Sequence, residues 1–207
     1  MNNLDKISNY YDNLVLKYGY NPRACDYGSP HSQRVKFKVM SEATIYDNKS
    51  ILDIGCGFAD FGVFLKNLYN NVKYEGVDIS NEMIIKAQQL HPELKVYLKN
   101  VFDEPPIQKY DIVTSNGIFY LLGDNAKNIM ENFIKKMFDY ANEVVAFNSL
   151  STHAKDQEDG EFYADPIETL KYCQSITPWV VLRQDYHSRD FTIYMYKKPQ
   201  NNYDSSH

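Results

Sequence analysis

The residues of this chain best placed to do chemistry are Gly55 and Gly57, in the run ILDIGCGFADF from Ile51 to Phe61, and Asp78, which closes the later run YEGVDIS. A short apolar strand that enters a Gly-x-Gly turn and then a helix, with an acid ending the next strand, suits a nucleoside cofactor. The glycines let the backbone approach a ligand closely, and a carboxylate at Asp78 can accept hydrogen bonds from two ribose hydroxyls. A pyrophosphate would want the full G-x-G-x-x-G, with amides and a helix N-terminus aimed at its charges. Here Phe58, Ala59 and the anionic Asp60 follow Gly57. An acid at the helix start repels pyrophosphate but tolerates the sulfonium and ammonium of S-adenosylmethionine (SAM). The plainer alternative is that the glycines only make a tight turn.

The elements that must hold these residues can be read from periodicity. Leu4, Ile7, Tyr11, Leu14 and Tyr18 recur at helical spacing, and Gly19 to Pro22 breaks that helix. The segment Arg23 to Ser32 is irregular and polar, and Ser32 is a candidate cap for a second helix carrying Val35, Val39, Met40 and Ala43. Strands are expected at Ser50 to Ile54, Lys73 to Asp78, Lys95 to Leu98, Tyr110 to Ser115 and Glu143 to Asn148. Helices are expected at Phe61 to Tyr69, at Asn81 to Leu90 with Ser80 as cap, around Ile129 to Met137, and near Pro166 to Gln174. Trp179 to Gln184 and Phe191 to Tyr196 lie too close together for a parallel crossover and predict an antiparallel hairpin. The expected fold class is α/β, a mostly parallel sheet covered on both faces. Residues 1–207 read as one domain, with 1–46 a helical addition, 50–196 the core and 197–207 a polar, frayed tail.

The string LDIGCGFAD, with VDIS and the later YDIVTSNGIFYLL, resembles the class I SAM-dependent methyltransferase family over roughly residues 50 to 148. That family usually has a third glycine where Ala59 stands. The resemblance implies a three-layer Rossmann-like fold with a seven-stranded sheet, and SAM as cofactor with S-adenosylhomocysteine as product. Asp53, Gly55 and Gly57 would hold the methionine part and Asp78 the ribose. Ile79 and Met83 would lie against the adenine, with Val101 and Phe102 flanking it. Asn100 stands where the family often has an acid contacting the adenine amine. Asn116 and Gly117 would lie beside the methyl group. Met83 and Phe102 would equally serve an ordinary core, and Asn116 an Asx turn closing its strand.

Methyl transfer mainly requires the nucleophile to be held roughly 3–3.5 Å from the methyl carbon, in line with the sulfur. His31 and His153 are the candidate bases, because imidazole titrates near neutral pH. The chain has four arginines, at 23, 34, 183 and 189. Their planar forks suit carboxylate or phosphate oxygens. Arg34 therefore joins the catalytic candidates with His31, Asn116 and His153, and Arg23, Tyr27, Tyr120, Tyr163, Tyr186 and Arg189 are candidate acceptor-binding residues. Solvated surface charge is the ordinary use of each arginine.

A narrower resemblance lies in DYGSPHSQR, SNGIFYLL, FNSLS, YADP and DYHSRDFTIYMYKK. These are similar to segments of small methyltransferases of bacterial surface-polysaccharide pathways, some of which methylate the phosphoramidate decoration of capsular polysaccharide. That implies an acceptor oxygen on phosphorus, anionic and without need of a strong base. A nucleotide sugar or other small metabolite is the runner-up acceptor. A non-catalytic SAM-binding protein and a nicotinamide-dependent enzyme are the rivals outside the class.

Composition bounds these readings. A chain of 207 residues that is 43% hydrophobic can bury one sizeable core. The net charge of -5 and the lack of a Lys/Arg stripe argue against nucleic acid and for a small-molecule acceptor. No run reaches the length of a membrane span and the N-terminus lacks a signal-peptide layout, so a cytoplasmic protein is expected. Cys25, Cys56 and Cys173 are scattered, without metal-ligand or disulfide spacing, so no metal is expected. Oligomeric state is not legible.

Overall fold

Strand β1 (Ser50–Ile54) lies inside the sheet, with a strand on either side, and is buried along nearly its whole length. Its alternate residues enter two separate cores, Ile51 on one face and Leu52 and Ile54 on the other. That is the pattern of a parallel strand covered on both sides. The computed structural model describes residues 3–200. The sheet has seven strands in the order β3-β2-β1-β4-β5-β7-β6. Its other members are β2 (Lys73–Asp78), β3 (Lys95–Leu98), β4 (Tyr110–Ser115), β5 (Ala141–Leu150), β6 (Val180–Arg183) and β7 (Asp190–Tyr196). All neighbours are parallel except at β7, which runs against both β5 and β6.

Helices α2 (Pro30–Ser41), α3 (Asp60–Leu68) and α4 (Asn81–Leu90) supply Phe37, Met40, Phe61, Leu65 and Ala87 to the core on one face. On the other face α5 (Ala126–Tyr140) and α6 (Pro166–Ile176) supply Met130, Ile134, Met137 and Cys173. Burial of one such aliphatic side chain contributes about 1.5–3 kcal/mol. Helix α1 (Asn3–Tyr18) and a 3₁₀ turn at Pro22–Cys25 precede this core, with Val15 and Ala24 packing beside Phe58 and Met83.

Most elements fall where the sequence places them, with three corrections. The cap of α2 is Ser29, whose hydroxyl accepts from the Ser32 amide, because Pro30 takes the first helical position. Strand β5 extends two residues past each expected end, since Ala141 pairs with Tyr110 of β4 at its start and β7 pairs along it as far as Leu150. Lys197, expected in a frayed tail, is tied down by its amide to the Glu143 carbonyl and by its ammonium over the Phe138 ring. The rest of that expectation, residues 201–207, lies outside the described residues.

Candidate functional site

In an open α/β sheet the ligand crevice forms outside the carboxyl ends of the strands, where strand order reverses. Here that point lies between β1 and β4, which follow connections to opposite sides of the sheet. A cavity opens there, lined by Gly55, Gly57, Asp78, Ile79, Met83, Val101, Phe102, Asn116 and Gly117, with Asp53 and Asn100 also in its wall. The structure therefore brings together all eleven residues assigned to a cofactor from sequence.

The loop after β1 satisfies its own amides. Those of Gly55 and Cys56 both donate to the Val77 carbonyl, and the Gly57 amide donates to Asp78 Oδ2 at 2.8 Å. None of these three amides is left for a phosphate. Gly55 has φ +74, and a Cβ there would lie 2.3 Å from Ile118 Cγ2, so only glycine fits. Ala59 holds φ +62, in the left-handed region that favours glycine. The cavity wall carries Asp53, Asp60 and Asp78 against a single ammonium, Lys99. Such a site suits a ligand bearing positive charge better than a pyrophosphate.

Asp78 closes β2, its Oδ2 accepting from the Gly57 amide and its Oδ1 from the Ser80 amide at 2.9 Å. Each oxygen keeps lone-pair capacity for a further donor. Burial pushes its pKa up, opposed by the hydrogen bonds from Ser80, Gly57 and Ile79. Asp53 sits deeper, 3% exposed, accepting from the Tyr74 hydroxyl at 2.6 Å and the Thr114 hydroxyl at 2.9 Å. Burial raises its pKa to about 6 despite those two bonds. Asp53 has one donor on each oxygen, as Asp78 has, but lies deeper and is tied to the side chains of β2 and β4, so that it supports the wall from within the sheet. Asn100 likewise engages its side chain locally, its Oδ1 accepting from the Phe102 amide and its Nδ2 donating to Asp103. This Asx turn presents Val101 and Phe102 to the cavity, the latter packed on Phe133 with ring centroids 4.8 Å apart.

Helix α1 closes the cavity from above. Asp12 accepts from the Ser80 hydroxyl and the Glu82 amide at the start of α4, and the Ser8 hydroxyl donates to the Ile79 carbonyl. At the far side the hydroxyls of Tyr11 and Tyr120 are hydrogen-bonded, and both Tyr10 and Tyr120 donate to Asp26. Tyr120 is thus a latch on the covering segment and not part of the cavity wall. Tyr27 does line the cavity, its hydroxyl accepting from Asn116 Nδ2 at 3.0 Å.

The acceptor residues expected from sequence are mostly not assembled. His31 and Arg34 lie on the outer face of α2 and line a separate groove with Lys38, Ile45 and Leu68. The helical repeat explains this, because Gln33 and Phe37 are the residues of α2 that face the cavity. His153 is exposed, with Nδ1 beside Gln184 Nε2. Arg189 commits its guanidinium to Glu158, Glu161 and Tyr163, which takes Tyr163 out of the site with it. Arg23 is exposed on the 3₁₀ turn. Tyr186 is packed against the core, bonded to the Thr192 hydroxyl at 2.7 Å. Tyr11, Asp12 and Phe37 are not singled out by the sequence as site residues; only the apolar stripe of α1 points to Tyr11.

Among known protein families, the one described as "Methyltransferase domain" matches residues 45–179. The chain belongs to this family. A curated relative, malonyl-[acyl-carrier protein] O-methyltransferase 1 of Ilyobacter polytropus, is 28% identical over 98 residues, covering 46% of this chain and 36% of that protein. This methyltransferase-family chain thus spans about a third of the length of the curated relatives it matches. Among solved structures, the DhpI complex with S-adenosylhomocysteine has a TM-score of 0.69 at 15% identity, covering 96% of this chain and 98% of that one. Magnesium protoporphyrin IX methyltransferase of Synechocystis PCC 6803 with bound SAM has a TM-score of 0.68 at 13% identity, covering 96% and 98%. These likenesses establish the Rossmann-like methyltransferase fold. Among the described residues no cluster of side chains could hold a metal ion, and no helix is long and apolar enough to cross a membrane.

Proposed function

We propose that this chain is a SAM-dependent methyltransferase that transfers a methyl group to an oxygen of a small-molecule acceptor. The observation that carries the reading is the Asp78 carboxylate, oriented by two backbone amides beside a glycine turn whose own amides are already engaged. That arrangement receives the two hydroxyls of a ribose and offers nothing to a pyrophosphate. The SAM and S-adenosylhomocysteine named for the neighbouring structures support the same cofactor. SAM, when bound, supplies an electrophilic methyl group on a sulfonium.

The chain's own residues would then bind and orient. Asp78 would hold the ribose, Ile79, Met83, Val101 and Phe102 the adenine, and Gly55 and Gly57 would admit the methionine part. Helix α1 with its tyrosine latch excludes water, and Asn116 and Gly117 border the end of the cavity where the acceptor must arrive. The preferred acceptor is a phosphoramidate group, or its precursor, of a capsular polysaccharide; its support is the set of short motifs from DYGSPHSQR to DYHSRDF. A nucleotide sugar is the alternative.

Calorimetry with SAM, S-adenosylhomocysteine and NADH tests the cofactor. Micromolar binding of both adenosyl ligands without NADH is the expected result. Binding of NADH alone would overturn the proposal.

A further inference from the structure

A second groove runs along the outer face of α2, on the side of that helix turned away from the cofactor cavity. Its wall takes His31, Arg34 and Lys38 from α2, Ile45 from the segment that follows, and Phe64 and Leu68 from α3. Both sides are fixed. The Tyr69 hydroxyl donates to the Ser41 carbonyl at 3.2 Å, which ties the end of α3 to the end of α2, and Phe64 packs on Phe37 with ring centroids 5.8 Å apart. The groove is therefore formed before anything enters it.

Its charge sets it apart from the rest of the surface. His31, Arg34 and Lys38 recur at i, i+3 and i+7 and so share one helix face. Among the described residues, none of these three side chains has a hydrogen bond or an ion pair. Arg183 and Arg189, by contrast, are each held by two carboxylates. The acid in the groove wall, Glu42, is one of those, accepting from Arg183 Nη1 at 2.9 Å. Arg34 and Lys38 are like charges four residues apart, a spacing that destabilises a helix, so the stripe opposes its own helix until an anion meets it. The groove is thus a local positive site on a chain of net charge -5. Beside the cations, Ile45 is 67% exposed and Leu68 56%. Single exposed apolar side chains are ordinary, but here two flank the same unpaired basic face, and the stems of Arg34 and Lys38 extend that apolar surface.

We propose that this groove docks an acidic amphipathic helix of a partner protein, whose carboxylates pair with Arg34 and Lys38 and whose apolar side chains cover Ile45 and Leu68. A helix with acids three or four and then seven residues apart repeats the spacing of the basic stripe, and its neighbouring apolar positions fall on the exposed aliphatic residues. Charge complementarity selects an acidic partner, and the apolar flank selects a protein. A nucleic acid or an anionic membrane would meet the negative charge of the rest of the chain and gain nothing from the aliphatic side. Gln33 and Phe37 separate the groove from the cofactor cavity, so a docked partner lies beside that site without entering it. The proposal does not depend on which cofactor the cavity takes.

The test uses the full chain and a fluorescently labelled synthetic helix that carries Glu along one side and Leu beside it, followed by anisotropy. A second peptide keeps the Leu residues and replaces each Glu by Gln. The expected result is saturable binding of the acidic peptide, at least tenfold tighter than that of its Gln counterpart and weakened by added salt. Arg34→Glu with Lys38→Glu should weaken the acidic peptide at least tenfold, and Leu68→Ser at least threefold. S-adenosylhomocysteine affinity, measured by calorimetry, should stay within twofold in each variant, because these side chains face away from the cavity. Thermal melts by circular dichroism check that the variants fold. No saturable binding of the acidic peptide would overturn the proposal, as would equal binding of the two peptides or indifference to charge reversal. Capture of phosphatidylglycerol vesicles or dextran sulfate in place of the peptide would also overturn it, and so would a dimer in sedimentation that charge reversal dissolves. The comparison of the two peptides on the wild-type chain decides the matter even if a variant does not fold.

Discussion

The two ends of the crevice are built in opposite ways. At the cofactor end the contacts are made by one stretch of chain and the strand beside it: Gly57 reaches Asp78, and Gly55 and Cys56 reach Val77. At the end bordered by Asn116 and Gly117, where the proposed acceptor would arrive, the partners come from distant segments, Tyr27 with Asn116 and Gly117 with Asn148. The first end depends on backbone conformation, which a short motif encodes. The second depends on how the segment before α2 and strand β5 meet the end of β4, and no short motif encodes that. A ligand common to many chains can be held by the first, while the second is free to differ with each acceptor.

Perturbing each end should therefore give different signatures. The largest effect is expected for Gly55→Ala, which combines φ +74 with a Cβ 2.3 Å from Ile118 Cγ2. A loss of roughly 2–4 kcal/mol in urea unfolding is expected; a loss below about 0.5 kcal/mol, within ordinary surface scatter, would show that the turn relaxes. Next is Asp78→Ala, expected to weaken S-adenosylhomocysteine binding by at least ~1.5 kcal/mol, the scale of a lost charge-assisted hydrogen bond. Unchanged affinity in calorimetry would remove Asp78 from the ribose role.

A third test concerns the support beneath both ends. Burial raises the Asp53 pKa to about 6, so the folded state binds this proton more tightly than the unfolded chain does. Its favourable contribution is complete below about pH 4, the ordinary carboxylate range, and is lost as pH rises through about 6. Asp53→Asn carries no such charge, so its melting temperature relative to wild type should climb between those limits. A difference that stays flat with pH would mean that Asp53 is not held against its charge.

The smallest effect is expected for His31→Ala and Arg34→Ala, on the outer face of α2. Stability should move by less than about 0.5 kcal/mol, and methylation, once an acceptor is in hand, should be unchanged within twofold. A large loss of turnover would return these residues to the site and break the contrast between the two ends.

How far the sequence could be read obeys the same division. Strands β1, β2, β3 and β4 and helix α4 begin and end where apolar periodicity and the Ser80 cap place them. The cofactor wall was legible because it is the loop that joins those elements. Asn100 and Asp53 line the cavity, but their partners, Asp103 and Tyr74, belong to a turn and a neighbouring strand that their own positions do not announce. The acceptor residues were chosen by type, histidine and arginine, and type says nothing about facing. On α2 a shift of one residue from Gln33 to Arg34 is enough to turn a side chain from the cavity to the outer groove.

By itself, then, the sequence determined the alternation of strands and helices, the antiparallel β7 and the glycine turn with its acid, because each is a property of local periodicity or backbone freedom. Only the tertiary structure decided that Arg189 is engaged by Glu158 and Glu161, that Tyr120 latches α1, and that Asn148 accepts from the Gly117 amide. Hydrogen-bond satisfaction is a sum over everything that surrounds a group, and those surroundings exist only when distant segments meet.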